Sequence, residues 1–322
     1  MDARNTSQAT SGAAAPEANA EPRRRFAPSG EALAIPQPRL MDLMVAGVVA
    51  AAWLLAVPAS AGPGSEASCQ AWFARRPAHF GAAEPIFNPA SPALACLDGA
   101  IEPEVRDAVL AWIGSPAEGK MLGVRSRGGD AEVGLDLAEA LQTHQVEVAV
   151  SELCASACAN YLFAGAPVRS IDEGSLLLFH GGYSERTRRA VISELERFFA
   201  SPSGVLIENP AENRATVMAG FDRNLQRQSD LYRAVSVSEQ IVTAVDAIDL
   251  EALDPSACGG ESERPRNFIF FSRSQLQSLG LAARRGEPLD DPAGVNRRLE
   301  AAGLPFAACQ APADALSAEG HH

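Results

Sequence analysis

Three short segments carry the residue types that acyl-transfer chemistry requires. Ser156 sits between Ala155 and Ala157, His180 follows it by 24 residues, and Ser126-Arg127-Gly128-Gly129 precedes both. A serine hydroxyl becomes a nucleophile when a base takes its proton, and imidazole titrates closest to neutral pH. Paired glycines permit a backbone turn that aims an N–H outward, as an oxyanion requires. The N–H after Ser156, that of Ala157, is a second such donor at the start of a helix. His180 stands at the exit of an apolar run, a rigid platform for a base. Singly, each has an ordinary alternative: a turn, a serine packed in a helix, a histidine of surface or core. Their order and spacing together are far more specific.

Cys154-Ala155-Ser156-Ala157-Cys158 brackets the serine, as a redox CxxxC or a disulfide. All six cysteines lie beyond residue 61, and their number is even. In an oxidising compartment that implies disulfides. The four-residue spacing predicts a Cys154–Cys158 bond. No Cys/His cluster has zinc spacing, since Cys154 and Cys158 have no second pair nearby; no metal is expected, and no cofactor either.

The elements that must position these groups are legible in the hydrophobic pattern. Residues 121–125 read as a strand leading to the Gly-Gly turn, and Asp130 is the expected N-cap of a helix over 131–142. Residues 146–151 alternate as a strand, 154–163 read as a small-residue helix, and 175–179 as a buried strand ending at His180. Strand–helix–strand–helix–strand predicts an α/β fold. Residues 186–199 and 214–246 are charged and helical, 268–271 form a further strand, and 272–279 a helix stopped by Gly280. Residues 62–115 read as an N-terminal extension of loops with a helix at 104–113. Residues 116–285 are the α/β domain, with a helical segment at 184–265, and the Pro- and Ala-rich 286–322 a loosely attached tail.

SRGGD, CASACANYLFAGAPV and GSLLLFHGGY together resemble the proteolytic subunit of Clp protease and its periplasmic relatives, with FIFFSRSQLQSLGL similar to that family's closing element. The likeness covers roughly residues 118–183 and 266–282. It implies a Clp/crotonase-like spiral of ββα units with additional helices. It further implies Ser156 as nucleophile, His180 as general base, and an oxyanion hole from the N–H of Gly128 or Gly129 and of Ala157. The Cys154–Cys158 disulfide would brace the nucleophile from both sides, where the family has Gly at the position of Cys154. The family's orienting acid has candidates in Asp222, Asp230 and Glu261, with Asp230 preferred.

Residues 1–61 read as an address rather than as part of the fold. A disordered stretch precedes an unbroken apolar run of 14 residues, 44–57, then Pro58 and Ala59-Ser60-Ala61, the pattern a signal peptidase cuts after. The alternative is an uncleaved N-terminal membrane anchor. Either predicts an exported, periplasmic body. The formal charge of −13 argues against a nucleic-acid partner. The leading expectation is therefore an ATP-independent serine hydrolase acting on peptides or proteins, with homo-oligomers open to it. Two others fit the same residues: an inactive envelope interaction protein of the same fold, and a crotonase-like acyl-thioester enzyme using the Gly-Gly loop without Ser156. The last is weakest, since no basic patch awaits the phosphates of CoA.

Overall fold

Short apolar runs separated by amphipathic helices can bury both faces of a parallel sheet only when helices cover it, and the chain folds this way. The computed structural model describes residues 68–76, 85–201 and 208–316. The leader and anchor expected within 1–61 lie outside the described residues. Among the described residues no helix is long and apolar enough to cross a membrane.

The main sheet has the order β1 (Ile86–Ser91), β2 (Leu94–Asp98), β3 (Met121–Ser126), β4 (Glu147–Ala155), β5 (Val168–Ile171), with β6 (Leu176–Leu178) also paired to β4. Only the β1–β2 pair is antiparallel; β2–β3, β3–β4, β4–β5 and β4–β6 are parallel. The fold is thus mixed α/β around a largely parallel sheet. β2 pairs with β3, so strands on either side of the expected 115/116 boundary share one sheet.

Helices α2 (Pro103–Gly114) and α3 (Ala131–Thr143) follow β2 and β3 and bury Val109, Ile113, Leu137 and Leu141 in the principal core. The predicted cap holds: Asp130 Oδ1 accepts from the N–H groups of Glu132 and Val133. α1 (Cys69–Ala74) is tied to β2 by a Cys69–Cys96 disulfide. α4 (Glu185–Phe199) buries no residue, whereas α5 (Pro210–Ala234) buries Phe221, Leu231 and Tyr232. The helical stretch expected over 214–246 is interrupted after α5, where Ser236 adopts φ 57°, and resumes as α6 (Gln240–Ala247).

The tail expected at 286–322 is, as far as residue 316, part of the body. α8 (Pro292–Ala301) leads to β8 (Ala307–Gln310), which pairs in parallel with β7 (Arg266–Phe270); α7 (Arg273–Ser278) lies between, with a capping box at Ser272. Buried Asn296 on α8 holds the Cys258 and Ala308 carbonyls and the Ala308 N–H, and Cys258–Cys309 closes the same corner. Composition misleads here because a four-residue strand and one amide side chain carry the attachment.

Candidate active site

β4 changes partner halfway along its length. Residues 147–150 pair with β5, residues 153–155 with β6, and against β3 the register slips between Val124↔Val150 and Ser126↔Cys154. Glu152 takes φ 61° at this bulge. Its N–H donates to Ser175 Oγ and its carboxylate pairs with buried Arg125. The re-aimed half of β4 ends at Ala155, in register with Leu178 of β6. Ser156 therefore lies one residue past one strand end and His180 two past its neighbour.

Ser156 Oγ is 2.5 Å from His180 Nε2. The strand extends further than its sequence pattern indicates: Cys154 and Ala155 belong to β4, not to a helix. Residues 157–165 are helical, with a π-helical stretch at Cys158–Phe163, a geometry frequent at functional sites. Ser156 turns the corner at φ 56°, unusual for a non-glycine residue, and its N–H donates to the Leu178 carbonyl. The Cys154–Cys158 disulfide closes across it, with Cα atoms 5.2 Å apart.

The two glycines do different things. At Gly128 a Cβ would stand 2.5 Å from Ser156 Cβ and 2.7 Å from the Ala155 carbonyl oxygen, so only glycine lets this loop lie against the turn. The Gly128 N–H is engaged by Ser126 Oγ at 3.0 Å, which removes it from the expected oxyanion donors. Gly129, at φ 152°, lines the cleft, and its N–H donates to no acceptor among the described residues. The same holds for Ala157, the first residue of the helix, as expected of an orphan helix-end donor.

His180 is fixed from several sides. Phe179 exchanges two backbone bonds with Ile269, the ring packs 5.4 Å from that of Phe268, and Asn160 Nδ2 donates to the His180 carbonyl. Its Nδ1 lies 2.7 Å from the Gly181 carbonyl oxygen, an acceptor only, so Nδ1 carries the proton and Nε2 presents its lone pair to Ser156. Burial pushes the His180 pKa below its usual value, while the Gly181 carbonyl and the Asp246 carboxylate act in the opposite sense.

The preferred acid, Asp230, is elsewhere: exposed on α5, bonded to Gln226 and Arg233, with its pKa lowered by those contacts. Asp222 pairs with Arg188 and Glu261 is exposed. The carboxylate beside the histidine is Asp246, at the end of α6. Its Oδ1 occupies the space a Gly181 Cβ would need, and its Oδ2 accepts from Ser184 Oγ. It acts on His180 through space, across the Gly181 backbone.

Around this pair lies a cleft of about 310 Å³ walled by Ala131, Tyr161, Tyr183, Val191 and Phe221. Tyr161 is anchored by Gln228, and burial raises its pKa, so it is an uncharged wall. Asn160 follows Ser156 by four residues on one helical face, a spacing that sequence alone offers. For Asp246, 66 residues past His180, no local signal exists. Three disulfides, Cys69–Cys96, Cys154–Cys158 and Cys258–Cys309, suit an oxidising, extracytoplasmic environment. In comparison with known proteins, the chain matches no protein-family model and no curated protein at a significant level.

Proposed function

We propose that this chain is an exported serine hydrolase, a periplasmic, ATP-independent peptidase of the Clp/crotonase type. The observation that carries the reading is the Ser156 Oγ–His180 Nε2 contact of 2.5 Å, at a strained strand-to-helix turn. His180 Nε2 takes the Ser156 proton as Oγ bonds to the scissile carbonyl carbon. The resulting oxyanion is received by the Gly129 and Ala157 N–H groups. Collapse breaks the carbon–nitrogen bond, and His180 returns the proton to the leaving amine. Water, deprotonated by the same imidazole, then releases the acyl group and restores Ser156. The partly buried imidazole, its pKa lowered by desolvation, supports the base role, since a protonated ring has no lone pair to offer.

One observation favours the alternative, a binding protein of the same fold without turnover: His180 Nδ1 faces a carbonyl instead of a carboxylate. A casein or fluorogenic peptide assay of the disulfide-intact protein separates the two. Hydrolysis lost equally in Ser156→Ala, His180→Ala and the double variant supports the hydrolase, because members of such a pair act as a unit. Hydrolysis that survives Ser156→Ala refutes it.

A further inference from the structure

A second cavity, of about 700 Å³, opens on the opposite face of the strands that carry Ser156 and His180. Side chains alternate along a strand, so Cys154 and Leu177 face the principal core while Leu153 and Leu176 face a separate cluster under α8. Leu153, Leu176, Leu289, Ala302 and Leu304 form the apolar walls. Eleven residues line the cavity, against roughly 20–30 a side for a stable protein interface, and its volume falls in the small-molecule range.

The rim carries two acids and two bases. Glu152 is already paired with Arg125 at 2.9 Å, and Asp291 caps α8 at the Gly294 N–H while facing Arg297 at 3.7 Å. Arg298 remains. Its guanidinium lies over Gly174, at the turn before β6, and makes no ion pair or hydrogen bond among the described residues. An apolar cavity with one unpaired cation among its lining residues is complementary to an apolar chain with one anionic end.

We propose that this cavity binds a monomeric single-chain carboxylate of the fatty-acid class, its alkyl chain among Leu153, Leu176, Leu289 and Leu304 and its carboxylate on Arg298. The site does not depend on Ser156 chemistry.

The experiment is calorimetric titration of the disulfide-intact protein with sodium laurate below its critical micelle concentration, beside dodecyltrimethylammonium and dodecyl maltoside. Laurate saturates one site per chain, and the cationic chain binds at least ~10-fold more weakly. Arg298→Ala, at an exposed position, weakens laurate about tenfold and leaves dodecyl maltoside unchanged. Ala302→Phe, which fills the cavity from its apolar wall, removes binding of both laurate and dodecyl maltoside. Laurate uptake that does not saturate, equals that of the cationic chain, or persists in both variants overturns the proposal. So does binding to phosphatidylglycerol vesicles by a protein that takes up no free laurate.

Discussion

Gly128 lies so close to Ser156 that a Cβ on it would stand 2.5 Å from the Ser156 Cβ. The loop and the turn therefore hold one another in place, and the positive φ of 98° adds a second requirement for glycine. Gly128→Ala is expected to cost about 2 kcal/mol or more and to displace Ser156 from His180. Gly114→Ala is the control: it ends α2 with no heavy atom near the new methyl, and should stay within about 1 kcal/mol of the parent. Urea unfolding of both variants makes the comparison; equal, small losses would separate the loop from the turn.

The acid limb of any Ser156-dependent reaction should report His180. Its pKa is lowered by burial, so the base stays neutral below the ordinary histidine value of about 6.5 and activity persists there. Asp246 holds this pKa up, so Asp246→Asn should move the limb to still lower pH, whereas Asp230→Asn, at an exposed site bonded to Arg233, should leave it in place. A pH–rate profile of the three proteins decides. A limb moved upward by Asp246→Asn contradicts the assignment.

The same group couples to stability. Because the folded pKa lies below the unfolded one, the unfolded chain takes up a proton first as pH falls below about 6.5. Stability contributed by neutral His180 is thus full above that value. It declines as pH drops and levels off once the folded ring also protonates. His180→Gln should flatten this part of the stability-versus-pH curve, and an unchanged slope would place its origin elsewhere.

The three disulfides should separate stability from chemistry. Chain-entropy loss gives about 4 kcal/mol for closing the Cys258–Cys309 loop and about 2 kcal/mol for Cys154–Cys158. Removing the first by double alanine substitution should lower the melting temperature more. Removing the second should cost more in reactivity of Ser156, which it encloses. Melting curves and rates of serine-probe labelling give the two rankings, and identical rankings would contradict the bracing role. Peptide mapping of the unreduced protein should recover all three pairs.

The site was legible in the sequence where it is local. Gly-Gly after a strand, a serine between alanines and a histidine ending an apolar run are each adjacent to the element that positions them. The bulge at Glu152 was not, because its cause is a change of strand partner from β5 to β6, and a single-chain pattern contains no partner. Asp246 was missed for a similar reason. It approaches His180 through a glycine backbone, a contact made by the absence of a side chain. Which of Gly128 and Gly129 keeps an unengaged N–H depends on one hydroxyl, that of Ser126, two residues before Gly128. The attachment of the C-terminal region rests on Asn296 and a short parallel strand pair, neither of which stands out against an Ala- and Pro-rich background.

The most direct measurement is labelling of the disulfide-intact protein with a fluorophosphonate probe, followed by peptide mass spectrometry to locate the adduct. One adduct is expected, on Ser156, that disappears in Ser156→Ala and forms roughly 10³-fold or more slowly in His180→Ala, with the fold of both variants intact. No adduct at Ser156, or one formed equally fast without His180, would contradict a serine nucleophile activated by that imidazole.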